Sequence, residues 1–402
     1  MIPLNHRPMK RNAFLLLFPI MLGLLSCEQK ETERFAVDED VQTVRFVLTA
    51  YTGDTVETKT TYDSGLSQFL WAEGDLVGIF SSEGNQLKFP IKPEFYGQSY
   101  ADFDGRGFAL ISGNSYSSYY PFVPDYDLNP EALPISYTGQ AQAGNNSMAG
   151  LGAFAFSAAM GTSPAQGALD FTFRNIGTPH RSGMPVPEGT YTSFMLSIPE
   201  EEYISSGTIN LLASSETDLI SITPVTMSDH LDLALSDFSM SAGGQLRCWM
   251  MVPPVDLTGD AIKLILTKDD GTQVVASVAG RDCPANSRRV MSAQTSVWPA
   301  QNEVSSQGGE VSVCLIRTAA ENAVTINCSE DWISIGSPVT NGLVTTYPLS
   351  VQENNGAARE GTVSFTETST GLTNTITVNQ QKAGTVIGIG GWETDNHSGN
   401  AN

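Results

Sequence analysis

Basic charge is scarce in this 402-residue chain, with 21 Lys and Arg against 43 Asp and Glu. A surface so acidic repels nucleic acid and anionic lipid, which argues against nucleic acid as a partner. Histidine is scarcer still: of four, His6 and His397 lie near the termini, leaving His180 and His230 in the interior. Neither sits in an HExxH pair, and no GxSxG, phosphate-loop or GxGxxG pattern accompanies them. Asp102-Phe103-Asp104-Gly105-Arg106-Gly107 and Asp125-Tyr126-Asp127 lack the further oxygens of a calcium loop and read as turns. Glu200-Glu201-Glu202 are neighbouring surface acids, which fix no separation across a cleft. The expectation is a non-enzymatic protein with no catalytic residues, no metal and no cofactor. Long apolar runs are missing too. The run from Ala13 to Leu25 falls short of the roughly 20 residues a membrane-spanning helix needs.

That run follows Arg7, Lys10 and Arg11, the arrangement of a secretory signal, and a start at Met9 in place of Met1 changes nothing after it. It ends at Leu24-Leu25-Ser26-Cys27, which resembles the bacterial lipobox. The resemblance implies cleavage before Cys27, acylation of its thiol, and an exported chain held on the outer membrane, exposed at the cell surface or carried into a fimbria. Several acyl chains bind far more firmly than the single chain that holds only marginally. Residues 28–38 carry little that could pack and read as a tether. Without residues 1–27 the chain has 18 basic and 43 acidic side chains, a net charge of −25.

The remaining sequence is rich in Ser, Thr, Gly and Asn between short apolar or alternating runs. Strands are expected at Val41–Tyr51, Phe69–Phe80, Tyr116–Phe122, Ala168–Asn175, Tyr191–Ile198, Leu246–Val252, Ala261–Lys268 and Thr272–Val278. Asp269-Asp270-Gly271 between two of them predicts a hairpin with the positive-φ pair of a type I′ turn. Many short strands separated by turn residues mean β-sandwiches, so the fold class is all-β. Breaks in composition near residue 300 and around Thr178–Gly189 divide the body at 39–182, 183–299 and 301–383, with a Gly-rich tail at 384–402. Four cysteines follow Cys27. Cys248 with Cys283 and Cys314 with Cys328 are candidate disulfides in an oxidising compartment, with buried free thiols as the alternative.

Phe69-Leu70-Trp71-Ala72-Glu73-Gly74-Asp75-Leu76-Val77-Gly78-Ile79-Phe80 resembles the hallmark of the fimbrillin family of Bacteroidetes surface proteins. Phe69 and Trp71 can face one core, Gly74-Asp75 supplies a turn, and Val77–Phe80 returns as a strand. Tyr116–Phe122, with Tyr119-Tyr120-Pro121, is similar to that family's aromatic-proline strand, and Gln140-Ala141-Gln142 and Leu246–Leu257 resemble later segments. The resemblance covers about residues 36–299. It implies two transthyretin-like β-sandwiches, fimbrial subunits as partners, proteolysis after a basic residue, and strand donation by a neighbour into the vacated groove. Arg34, Arg45 and Lys59 are the candidate cleavage residues.

Residues 301–383 resemble the BACON domain, an immunoglobulin-like sandwich, through Asp331-Trp332-Ile333-Ser334, Arg359-Glu360-Gly361-Thr362-Val363 and Ile376-Thr377-Val378-Asn379-Gln380. That resemblance implies host or dietary glycans as an alternative partner, with Trp332 as the candidate contact. A lone Trp on a sandwich strand is more often core.

Overall fold

The computed structural model describes residues 41–48, 50, 52–53, 62–63, 68–81, 86–104, 110–124, 128–198 and 203–384. Cys27, Arg34, Lys59, residues 125–127 and 200–202 and the tail from 385 lie outside the described residues. The strands up to the middle of the chain are β1 (Val41–Leu48), β2 (Thr52–Gly53), β3 (Tyr62–Asp63), β4 (Gln68–Phe69), β5 (Leu76–Ser81), β6 (Gln86–Pro90), β7 (Tyr100–Asp104), β8 (Ser115–Tyr120), β9 (Leu133–Ser136), β10 (Gln140–Ala143), β11 (Ser157–Thr162) and β12 (Gly167–Asn175). Then come β13 (Thr178–Val186), β14 (Gly189–Ser197), β15 (Tyr203–Ile209), β16 (Thr223–Ser228), β17 (His230–Met240), β18 (Gly244–Val252), β19 (Val255–Asp256), β20 (Ala261–Lys268), β21 (Gln273–Ala279), β22 (Asp282–Cys283), β23 (Ser287–Ser292) and β24 (Thr295–Trp298). The last are β25 (Gln301–Val304), β26 (Gly309–Arg317), β27 (Val324–Cys328), β28 (Ile333–Ile335), β29 (Val339–Asn341), β30 (Val344–Val351), β31 (Arg359–Glu367) and β32 (Thr373–Gln380). Among the described residues the α-helix is a single turn, Glu216–Leu219, and none is long and apolar enough to cross a membrane. The chain is all-β.

In the first sandwich the sheet order is β6-β5-β8-β11-β12-β1-β7. Strand β12 shows why these segments pair: Leu169, Phe171 and Phe173 are buried while Asp170, Thr172 and Arg174 face out, the two-residue period of a half-buried strand. Phe46 of β1 packs against Phe89, Phe171 and Phe173, with ring centroids 5.7, 5.8 and 6.1 Å away. Each fully buried Phe contributes about 1.5–3 kcal/mol. Phe69 and Trp71 are buried as their spacing predicts. The turn after them is held by Ala72 N–H donating to Asp75 Oδ2 at 2.8 Å, with Gly74 at φ +88°.

The division expected at 182/183 falls inside β13, which is almost wholly buried. Its Pro179 and Pro185 suggested a break but cost the ladder nothing. Pro179 pairs with Met251, whose N–H points away from β13 to Gln140, and the pairing with β23 runs only from His180 to Gly183. Strand β13 is thus central in the sheet β18-β13-β23-β2. Strands β9 and β10 also cross the expected division, pairing with β15 and β17. The hairpin β20–β21 forms, but by a three-residue loop. Lys268 N–H donates to Thr272 O at 2.9 Å, and of the loop residues Gly271 alone has positive φ, so no type I′ pair is present. Asp270 Oδ1 accepts from Thr272 N–H instead, at 2.9 Å. Asp102, expected in a turn, lies inside strand β7.

Near residue 300 the composition changes but the sheet does not end. The order β10-β17-β14-β20-β21-β24-β26-β30-β28, with β29 beside β30, runs from the second sandwich into the third through β24. The third sandwich is closed by β25-β32-β31-β27. Across the junction Thr295 Oγ1 donates to Glu367 Oε1 at 2.7 Å and Ser277 Oγ to Thr373 O at 2.8 Å. Glu367 is 2% exposed and also accepts from Thr370 Oγ1, so its carboxylate is buried with both oxygens hydrogen-bonded. Such satisfaction is what makes a buried polar group tolerable.

Candidate assembly site

Strand β1 lies between β12, to which it is parallel, and β7, to which it is antiparallel. A parallel neighbour cannot be reached by a tight turn. After β1 the chain therefore leaves the sheet, and Thr52–Gly53 pairs with β23 of the second sandwich. Val44, Phe46 and Leu48 point into the core, while Arg45 points out between Asp102 and Asp170, its register partners on either side. Arg45 Nε donates to Asp102 at 2.8 Å, and its Nη1 lies 3.8 Å from Asp170. The hydrogen bond to Asp102, then the charges of Asp102 and Asp170, push the Arg45 pKa up. All three side chains are at least one-third exposed, so the pairs are worth under about 1 kcal/mol each.

Of the three cleavage candidates, Arg45 is the one within the described residues, and it sits in mid-strand with ladders on both sides. A protease needs an extended, unpaired segment, which β1 in place does not offer at Arg45.

A second sheet edge carries a different device. Among the described residues, strand β18 has β13 on one side and no strand on the other. There the amides of residues 140–146 act as a surrogate strand. Gln140 accepts from Met251 N–H at 2.7 Å and donates to Met251 O at 2.8 Å; Gln142 accepts from Trp249 N–H and donates to Arg247 O at 3.1 Å. Asn145 accepts from Arg247 N–H and donates to Gln245 O, and Trp249 Nε1 donates to Asn146 Oδ1. This sealing joins two segments that the sequence showed only as separate family-like motifs. The signal was present as two glutamines at strand spacing beside small alanines, Gln140 and Gln142, buried at 3% and 4%.

In the third sandwich Trp332 is 6% exposed and belongs to the core with Ile333, Leu349, Val363 and Phe365. Its indole N–H donates to Glu330 Oε2 at 3.1 Å, and the Arg359 guanidinium lies 4.3 Å above the ring. A Cβ on Gly361 would come within 2.7 Å of Trp332 Cζ2, so the ring lies directly on that glycine's backbone. Arg359 thus covers one face of the ring, and Gly361 leaves room for its edge. Arg359 Nε donates to Gln380 Oε1 at 2.8 Å, Gln380 Nε2 donates to Gln352 O at 2.8 Å, and Asn354 Nδ2 donates to Ala357 O and Gln381 O.

All four described cysteines are free thiols, contrary to the candidate disulfides. Cys314 faces Thr346 Oγ1 in one sheet of the third sandwich, and Cys328 donates to Glu330 O at the end of a strand in the other. Cys248 and Cys283 are fully buried, and burial pushes the first thiol well up and the second up to about 11. Among the described residues no group of three His, Cys, Asp or Glu could hold a metal. His230 lies beside Asp229 and Asp232, and His180 is buried in β13.

No family model matches the chain, and no curated protein matches it in sequence. It is similar in structure to a protein from Bacteroides ovatus ATCC 8483 assigned to cell adhesion, at 13% identity and TM-score 0.38, covering 61% of this chain and 89% of that one. A protein of the same assignment from Bacteroides eggerthii DSM 20697 gives 9%, 0.31, 85% and 98%. The fimbrial anchor protein Mfa2 from Porphyromonas gingivalis gives 10%, 0.28, 57% and 79%. At such values no correspondence of residues follows.

Proposed function

We propose that the chain is a non-enzymatic lipoprotein of the bacterial surface and a tip or accessory component of an adhesive fimbria, built in by strand exchange at the lane of β1. The observation that supports this reading most is the placement of β1 between two strands, β7 and β12, as the first described element of the chain. Its removal leaves every later element covalently connected. It would uncover two unpaired edges and the rings of Phe89, Phe171 and Phe173, which is what a donated strand covers, by main-chain pairing for affinity and alternate side chains for fit.

The three candidate cuts differ in consequence. A cut after Arg34 leaves β1 in place, one after Arg45 divides it, and one after Lys59 frees β1 and β2 together. Strand β2 adds two residues of pairing, so the Lys59 cut is the one that empties the whole lane. Cys27 lipidation then serves transport to the outer membrane and is lost on assembly. The junction of the second and third sandwiches, a continuous sheet with a buried carboxylate bridge, suits a part that projects rigidly.

Immunogold labelling of native surface filaments with an antibody to residues 203–384 tests the role. Label at filament ends or at sparse positions is expected, and filaments free of label in every preparation would remove the fimbrial reading.

A further inference from the structure

Basic residues are few in this chain, yet three of its arginines meet on one face of the sheet β18-β13-β23-β2. The register puts them there. In the antiparallel pair of β13 with β18, Arg181 stands opposite Trp249 and Gly183 opposite Arg247, so the two arginines are diagonal neighbours. In such a pair the diagonal separation is about 7–8 Å, within reach of long side chains. In the parallel pair of β13 with β23, Arg181 stands beside Val290, which places Arg288, two residues earlier, on the same face. Between Pro179 and Pro185 on β13, Gln245 and Met251 on β18, and Arg288 and Ser292 on β23, that face carries no carboxylate.

Like charges held together are destabilising unless an anion compensates them. Arg181 is part-exposed, and of its guanidinium nitrogens only Nε is buried without a hydrogen-bond partner, which leaves the two Nη groups on the solvent side. Burial, then the charges of Arg247 and Arg288, push its pKa down, and no carboxylate acts against them. Other exposed arginines of the chain are paired, Arg45 with Asp102 and Asp170, and Arg174 with Glu216. Among the described residues neither Arg181 nor Arg247 has such a partner. The cluster is also open to a ligand. Arg247 is exposed, and so is Ser292, whose Oγ lies over Gly183, where a Cβ would approach it to 2.9 Å. Arg288, 1% exposed, adds charge from below. Two guanidinium groups with a hydroxyl beside them present a fork of donors that matches the oxygens of a carboxylate or phosphate. A neutral ligand leaves the like charges uncompensated. A polyanion meets the acidic remainder of the chain, which repels it. A small oxyanion answers both constraints.

We infer that Arg181 and Arg247, with Arg288 beneath them and Ser292 beside them, form a binding site for one small oxyanion, the carboxylate or phosphate group of a soluble ligand.

The test is calorimetric titration of the full chain with sodium phosphate and with sodium glucuronate, the ionic strength held constant with sodium chloride, and with glucose as the uncharged comparison. Saturable binding of phosphate or glucuronate is expected, with a dissociation constant of about 1 mM or below. Binding of phosphate alone assigns the site to phosphate groups, and of glucuronate alone to carboxylates. Arg247→Gln, at an exposed position, is expected to weaken binding at least tenfold with the thermal unfolding midpoint no lower, so loss of binding is not confused with loss of fold. Arg181→Gln is expected to weaken it as much and, in anion-free buffer, to hold or raise the midpoint, because a repelled charge has gone. Lys263→Gln, at an exposed base elsewhere on the chain, leaves binding intact. No saturable binding of either anion overturns the inference. So does binding that survives both arginine substitutions, or that Lys263→Gln weakens equally, which would make it a general attraction to positive charge. Glucose bound as tightly as glucuronate would make the charge irrelevant, and a clear fall in the anion-free midpoint of Arg181→Gln would mean that its charge is already compensated; either overturns it too.

Discussion

In the first sandwich the N-terminal strand β1 is held by two ladders, three inward side chains and exposed ion pairs at Arg45. In the third sandwich the last strand, β32, also lies between two neighbours, but side-chain amides stitch it in as well. Asn374 Nδ2 donates to Thr295 Oγ1 at 2.9 Å, and Gln380 takes the Arg359 guanidinium and reaches Ser305 O and Gln352 O. Both strands bury apolar residues at alternate positions, so hydrophobic burial does not distinguish them. Among the described side chains, what differs is the polar stitching. Ladder bonds and apolar contacts can be supplied by any extended strand of suitable pattern, whereas a network of specific amides and a guanidinium accepts only the residues it was built around. The first arrangement permits exchange and the second resists it.

The largest test of this contrast is truncation of a core ring in each region. Phe46→Ala and Trp332→Ala should each cost about 3–5 kcal/mol in chemical denaturation, but a synthetic strand of residues 41–48 added to a chain cut after Lys59 should restore stability only to the first sandwich. Equal recovery at a chain cleaved within the third sandwich would erase the distinction. Gly361→Ala comes next. The new methyl meets the Trp332 ring and the Glu330 and Ile333 side chains at 2.7–2.8 Å, so a loss of about 1–3 kcal/mol is expected, together with altered near-ultraviolet dichroism as the ring shifts. Gln140→Ala, which leaves the Met251 N–H and C=O unpaired, should cost about 1–3 kcal/mol. By unsealing the edge of β18 it should also raise concentration-dependent association in sedimentation, an effect that would identify the amides as an edge guard. Arg45→Gln should change stability by less than about 1 kcal/mol, the difference vanishing in high salt. A larger loss would mean that β1 is stitched after all.

Asp75 adds a pH test within the first sandwich. Its folded-state pKa is raised by burial, so the folded protein holds that proton more tightly than the unfolded chain. Its contribution is present below the unfolded carboxylate value and is lost as pH rises through the higher folded one. Asp75→Asn should flatten the stability profile in that window, which is visible in denaturation midpoints measured from about pH 4, near the ordinary carboxylate value, up to about pH 7.

Alternation along short strands was enough to give an all-β chain, and the spacing of Phe69, Trp71, Gly74 and Asp75 gave a buried pair followed by a turn. The role of β13 was hidden because Pro179 and Pro185 signal a break unless the partner strand is known to be out of bonding phase at those positions, which is a property of pairing and not of local sequence. The hairpin at 268–272 was legible, but its loop type was not, since Asp270 satisfies Thr272 through its side chain without taking positive φ. Cysteine spacing says nothing of depth, and here Cys248 and Cys283 are core residues. Trp332 could be read as core or as contact from its type alone. Arg359, 27 residues on, closes one face, and only the fold shows the two together.

The claim that β1 is an exchangeable strand is tested most directly by the mass of the N-terminus of the chain recovered from surface filaments. Strand exchange predicts a lipid-free chain beginning at Thr60, after cleavage at Lys59. A chain that still begins at acylated Cys27, with β1 attached, would contradict it and leave the protein a permanent anchor.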